Sequence, residues 1–399
     1  MRILIVSTFY YPNMKGGAEQ SIKLLSENLV KRGHEVGVFC IDAKETSIGE
    51  EQYEGVRVFR HTSGNFDLYK FSYDKKNVSK LEKVHQKLIC YYNRKTIKDF
   101  YKILSEFRPN VIHTNSTYGM SHFVWKVAYK LNIPVVHTIR DTAIVSPVTY
   151  GHHVNSLVLN AHKAYVKHFS KYVSAVTAPS EYTLNTSLVN RNFCNATVKK
   201  CVVNSVRIDK ANFEQELEEK KKRTSDHIKF MYAGRLVAYK GIEHMIQAFE
   251  KLKNDKLELH ICGGGDMADY VSMHARVDSR IIYHGSLDNV HLTKVYETCD
   301  VMLIPSCWPE PFGRVVIEGN LHAMPVIAGN WGGIPEIVRT LKGGVLYDAP
   351  SVKALEIEMM KFTQRQYIVS FLSAIRKNME TYSIERQIDE FETIYKNII

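Results

Sequence analysis

An α/β fold with two doubly wound parallel sheets is predicted by three observations on this chain. Apolar, β-branched runs alternate with helix-period patterns through both halves, which is how a parallel sheet covered by helices reads. The length, 399 residues, exceeds what one hydrophobic core usually serves. A charged stretch, Glu214 to Asp226, has almost no apolar content and marks a boundary between the halves.

In the first half, strands are expected at Ile3–Ser7, Val36–Ile41, Val56–His61, Val111–Thr114, Val135–Ile139, Ala175–Ala178 and Cys201–Asn204. Between the first two, a helix from about Ala18 to Lys31 carries Ile22, Leu25 and Leu29 on one face and stops at Gly33. In the second half, strands are expected at Ile228–Ala233, Leu257–Cys262, Ile281–His284, Val301–Pro305, Pro325–Ala328 and Val345–Tyr347. At the end, Ile384, Ile388, Phe391, Ile394 and Ile398 recur at helical spacing after a Ser383 cap. The expected layout is a first domain over 1–209, a charged linker over 210–226, a second domain over 227–383 and a terminal helix over 384–399.

The composition, 45% hydrophobic and 24% charged, is that of a globular protein with ample core material and no long disordered stretch. Seven cysteines with no Cys-x-x-Cys pair read as reduced, mostly buried thiols of a cytoplasmic protein. The chain opens directly as a strand without a signal peptide's long apolar region, and no run approaches the ~18 apolar residues of a membrane span. The 17 histidines form no His-Glu-x-x-His or comparable array, so no metal is expected.

The net charge of +11 is unevenly placed: residues 1–209 hold 29 basic against 16 acidic residues (+13), and 210–399 hold 24 against 26 (−2). Lys70 to Lys102 alone has ten basic and three acidic residues, interleaved with Leu81, Leu88, Tyr91, Tyr92, Ile97 and Phe100. That segment is either a solvated helix face packed on its own domain or a patch that meets anionic lipid headgroups or an acidic acceptor, peripherally at a membrane. Nucleic acid is not an expected partner.

The most informative stretch runs Ser306-Cys307-Trp308-Pro309-Glu310-Pro311-Phe312-Gly313-Arg314-Val315-Val316-Ile317-Glu318. Two prolines hold Glu310 in a loop, and a helix beginning near Phe312 or Gly313 carries Glu318. Amides at that helix start suit a ligand rich in hydroxyls and phosphate oxygens. Eight residues at ~1.5 Å rise span about 12 Å, too far for the roughly 5–9.5 Å of a glycosidase acid and nucleophile.

This Glu-x7-Glu pattern resembles the core motif of the family-four retaining glycosyltransferases of GT-B fold. Two further segments in order support the resemblance: Gly234-Arg235-Leu236-Val237-Ala238-Tyr239-Lys240-Gly241, similar to the phosphate-binding loop, and Pro12-Asn13-Met14-Lys15-Gly16-Gly17-Ala18-Glu19, similar to the N-terminal glycine-rich turn. Together they span roughly residues 1 to 340. The resemblance implies two Rossmann-like domains facing across a cleft, with acceptor bound by the first and nucleotide sugar by the second. The last helix commonly crosses back to the first domain in such enzymes, whereas periodicity alone shows only an amphipathic helix.

Roles follow from the same resemblance. Arg235 and Lys240 would hold the departing diphosphate without a metal, by a planar fork and a point charge. Glu318 would accept from the two ribose hydroxyls, while Glu310 and the backbone at Phe312 and Gly313 would contact the donor sugar and diphosphate. Gly16 and Gly17 form either a plain turn or a close approach to phosphate. Base recognition would lean on the strand end near Gly285, with a UDP-sugar as the default donor and no other cofactor. His137-Thr138-Ile139-Arg140-Asp141 resembles the family's Thr-x-His-Asp strand end; Asp141 keeps its match, Arg140 stands where the histidine usually does, and His137 is either core or its replacement.

The expected activity is a retaining, hexosyltransferase-type transfer of sugar to a hydroxyl of a glycan or lipid-linked acceptor, in cell-surface polysaccharide or glycolipid synthesis. A nucleotide-sugar epimerase or a phosphorylase of the same fold is the first rival. A catalytically idle sugar-nucleotide-binding partner is the second, and Arg140 keeps it open.

Overall fold

The computed structural model describes residues 1–14, 16–41, 50–61, 79–146, 154–187 and 189–399. The chain divides into two compact units, Met1–Ser205 with Ile384–Ile399, and Val206–Ser383.

The first unit holds an eight-stranded sheet of β1 (Arg2–Val6), β2 (Glu35–Ile41), β3 (Glu50–Tyr53), β4 (Val56–His61), β5 (Val111–Thr114), β6 (Val135–Thr138), β7 (Ala175–Ala178) and β8 (Val198–Cys201), in the order β3-β4-β2-β1-β5-β6-β7-β8. Every pairing is parallel except the β3–β4 edge. Buried runs such as Ile3 to Val6 pack helices on both faces, the arrangement that near-continuous apolar strands require. The terminal helix Ile384–Ile398 belongs to this unit: Ile384, Ile388, Phe391 and Ile394 are buried in one cluster with Ile22, Leu25 and Leu29 of the helix Gly17–Lys31.

The second unit is a six-stranded parallel sheet of β9 (Ile228–Ala233), β10 (Leu257–Cys262), β11 (Ile281–Gly285), β12 (Val301–Ile304), β13 (Val326–Gly329) and β14 (Gly344–Tyr347), in the order β11-β10-β9-β12-β13-β14. Strand order reverses between β9 and β12, so the loops leaving their carboxyl ends flank a crevice, the usual ligand position in open α/β sheets.

Several expectations need correction. The charged segment at 210–226 is not a linker: it forms the helix Lys210–Lys222, N-capped by Asp209. Phe213 and Leu217 bury one stripe of it, and its buried charges have partners, Lys220 Nζ donating to the carbonyls of Tyr296 (3.0 Å) and His322 (2.6 Å) and Glu216 facing His322 Nδ1 at 2.9 Å. Burial pushes the Lys220 pKa down to about 8. The last strand of the first sheet is Val198–Cys201, earlier than the expected Cys201–Asn204. The edge strand Glu50–Tyr53 was not expected, because it is held by charge pairs, Glu50–Arg57 at 2.7 Å and Glu51–Arg60 at 2.9 Å, and not by an apolar run. Residues 70–78 of the basic segment lie outside the described residues; its remainder falls on the helices Lys80–Tyr91 and Arg94–Phe107. Among the described residues no helix is long and apolar enough to cross a membrane.

Candidate active site

At the crevice of the second unit, the β9 loop and the β12 loop are tied together. Lys240 Nζ lies 2.8 Å from Glu310 Oε1, with both side chains mostly buried, and the Ser306 hydroxyl donates to the same carboxylate oxygen. The Cys307 N–H donates to the Tyr239 carbonyl at 2.9 Å, locking one loop to the other. The Tyr239 and Trp308 rings meet edge-on at 5.3 Å, and Lys240 Nζ stands 5.9 Å from the Trp308 ring centre. Arg235 Nη2 donates to the Tyr239 hydroxyl at 3.2 Å, which joins the second cation to the set. Under them, Tyr232 donates to the Arg235 carbonyl at 2.9 Å; burial first, and then the charge of Glu310, raises its pKa.

Gly241 is required by this packing. Its φ is +75°, and a Cβ there would stand 1.9 Å from the Pro305 carbonyl oxygen. The helix carrying Glu318 begins as expected, at Arg314 after Gly313, while Phe312 is buried. Glu318 stands apart from the Lys240–Glu310 contact: it accepts from Arg314 Nε at 2.8 Å, one turn back on the same helix. Gly285 ends β11, and its carbonyl accepts from the Gly263 N–H at 2.7 Å.

That last contact belongs to a glycine seam between two loops. Gly263, Gly264 and Gly265 follow β10 and pack directly on the β9 loop, with Gly234 N–H donating to the Cys262 carbonyl (3.0 Å) and Leu236 N–H to the Gly264 carbonyl (2.9 Å). Three consecutive glycines after a buried strand were a visible signal of close backbone approach.

The first-unit candidates divide differently. His137 is a core residue: its ring is buried against Trp125 and Phe193, Nδ1 bonds with the Thr114 hydroxyl at 2.9 Å, and burial lowers its pKa to about 3. Of the two readings of His137, this enclosure favours the core one. Arg140, at that strand end, donates from Nε to the Asn115 carboxamide oxygen at 3.0 Å and from Nη1 to that of Asn204. Asp141 is exposed and accepts from the Ala143 N–H at 2.8 Å. Gly16 has an ordinary extended backbone, and its N–H donates to the Glu19 carboxylate at 2.9 Å; Gly17 is the first residue of the following helix. Among the described residues no cluster of three or more His, Cys, Asp or Glu side chains could hold a metal ion.

Two family profiles match the chain: one described as Glycosyl transferases group 1 over residues 213–385, and one described as Glycosyltransferase Family 4 over residues 15–191. An uncharacterized 42.6 kDa protein in the cps region of Klebsiella pneumoniae is 28% identical over 348 residues, 86% of this chain and 88% of that protein. O-antigen chain mannosyltransferase C of Escherichia coli is 23% identical, covering 100% of this chain and 99% of its own length. Among solved structures, Anabaena HepE in complex with UDP superposes with a TM-score of 0.71 at 19% identity and full coverage of both chains, a likeness of fold. With its two parallel-sheet units, each overlapped by one of the profiles, the chain belongs to the group 1 glycosyltransferases of GT-B fold.

Proposed function

We propose that this glycosyltransferase moves a sugar from a nucleotide-diphosphate donor, by default a UDP-sugar, to a hydroxyl of a glycan or lipid-linked acceptor in surface polysaccharide synthesis, with retention of anomeric configuration. The single observation that carries the proposal is the Lys240–Glu310 contact at the β9/β12 crevice, with Arg235 joined to it through Tyr239. Cations in that place suit a diphosphate, and a carboxylate beside them suits sugar hydroxyls. The relatives in a cps region and in O-antigen synthesis support the polysaccharide setting, and the UDP-bound neighbour supports the default donor.

In the proposed step, the acceptor oxygen forms its bond to the anomeric carbon on the face from which the diphosphate oxygen departs. The hydroxyl proton passes to a leaving phosphate oxygen, and Arg235 and Lys240 hold the charge that develops there. Glu310, Phe312 and Gly313 position the sugar and diphosphate, Glu318 takes the ribose hydroxyls on release from Arg314, and the Gly285 strand end meets the base. Gly16, Gly17 and Asp141 keep the substrate contacts that the family resemblance implies. No metal is needed for this charge balance.

A melting-temperature screen against UDP-, GDP- and ADP-sugars tests the donor, since a ligand at ~100 times its dissociation constant adds about 2.7 kcal/mol. Transfer with the accepted donor, followed by NMR of the product's anomeric configuration, tests the rest; an inverted product refutes retention, and conversion of the donor alone to its epimer refutes transfer. Arg235→Ala should lower turnover about 10²–10³-fold. Near wild-type transfer by that variant refutes the role of the loop. The +13 charge of residues 1–209 further supports work on a lipid-linked acceptor at an anionic membrane surface. Vesicle binding should then weaken steeply with salt, and equal binding to neutral vesicles refutes it.

A further inference from the structure

The loop after β13 carries an indole that the proposed step does not use. Trp331 is 37% exposed, whereas Trp125 is fully buried. Its Nε1 donates to the Ala349 carbonyl at 2.8 Å, so the ring is tethered while the residue stays partly open to solvent. Its backbone is equally fixed: Trp331 N–H donates to the Gly329 carbonyl and Gly333 N–H to the Glu310 carbonyl, both at 2.8 Å. Gly332 between them has φ +63°, and a Cβ on it would stand 2.3 Å from the Glu310 carbonyl oxygen and 2.6 Å from the Glu310 nitrogen. Only glycine permits that approach.

Single exposed aromatic residues are ordinary on protein surfaces. What separates this one is that it is anchored, through Gly332 and Gly333, on the backbone of the very residue whose carboxylate faces Lys240. A pyranose ring has a hydroxylated rim and apolar C–H faces, and a fixed indole face complements the latter at low conformational cost. The exposed Asn330 beside it offers a carboxamide to the rim. The Glu310 side chain is 14% exposed and Trp331 37%, so of the two the indole is the more open to an incoming ring.

We propose that Trp331 is a stacking platform that seats a pyranose ring of the acceptor next to the donor site; this rests on the glycosyl-transfer function given above. Trp331 is on this account a positioning residue for a carbohydrate acceptor.

The test uses the full chain as wild type, Trp331→Ala and Trp331→Phe, with octyl glycosides of glucose, galactose, mannose and N-acetylglucosamine as acceptor probes and the UDP-, GDP- or ADP-sugar that raises the melting temperature. Removing the ring should raise the acceptor KM about 10-fold, by analogy with other aromatic stacking, and Phe should restore most of it. Acceptor-independent hydrolysis of the donor should stay within about twofold, which a general loss of structure would not allow. Titration of tryptophan emission with the same glycosides should show a change in wild type that Trp331→Phe lacks. An alanine variant with unchanged acceptor KM, or wild-type emission that ignores all four glycosides, overturns the platform. Absence of any donor-induced melting shift together with absence of transfer overturns the glycosyl-transfer function instead, and the emission titration still decides whether a sugar stacks on Trp331.

Discussion

Replacing Glu310 by glutamine separates nucleotide binding from transfer. The carboxylate lies 2.8 Å from the Lys240 ammonium, and the two side chains are only 14% and 19% exposed. At an effective dielectric near 20, Coulomb's law gives a gross attraction of about 6 kcal/mol at that separation. Desolvation cancels most of it, and partial exposure leaves roughly 1–2 kcal/mol net. A diphosphate that draws Lys240 toward itself must overcome that net attraction. Glu310→Gln removes the competing charge yet can still accept from the Ser306 hydroxyl. UDP should therefore bind about 5–30-fold more tightly to the variant, while turnover falls because the donor sugar loses its carboxylate partner. Isothermal titration with UDP and initial rates on one preparation measure both. Unchanged or weaker UDP binding by a folded Glu310→Gln protein refutes the idea that Lys240 exchanges Glu310 for phosphate.

Two further substitutions test the packing. Gly241→Ala combines a left-handed backbone with a Cβ 1.9 Å from the Pro305 carbonyl and should cost at least about 2 kcal/mol; an unchanged urea midpoint contradicts that. His137 titrates near 3 in the fold against 6.5 for the free side chain, so the unfolded chain binds the extra proton between those values and stability drains away as pH falls through that window. By pH 5 that amounts to about 2 kcal/mol relative to neutral pH. His137→Asn should accordingly show a shallower acid limb in denaturant unfolding and transfer sugar at near wild-type rate, and a large fall in turnover of the folded variant would return His137 to the chemistry.

Legibility in the sequence followed how local each cause was. Glu310 is held in its loop by the prolines at 309 and 311, and Glu318 rides the helix after Gly313, both set by neighbours in the chain. Most strands were readable because buried parallel strands are continuous apolar runs. The helix Lys210–Lys222 was not, since its buried Lys220 is satisfied by carbonyls of Tyr296 and His322, far away in sequence. His137 and Arg140 occupy nearby positions of one strand end, yet only the fold shows that one ring faces Trp125 and the other side chain reaches Asn115 and Asn204. The place of Trp331 depends likewise on Gly332 meeting Glu310 across two loops.

Because the chain leaves the first unit at Ser205 and re-enters it at Ile384, the second unit is in effect an insertion within the first. During synthesis, Leu25 and Leu29 stay without the cover of Phe391 and Ile394 until the helix Ile384–Ile398 leaves the ribosome, although the second unit, continuous in sequence, can fold before that. A truncation within Ile384–Ile398 thus strikes the earliest-made portion of the first unit hardest, and a fragment ending at residue 205 needs that helix supplied in trans or fused back on.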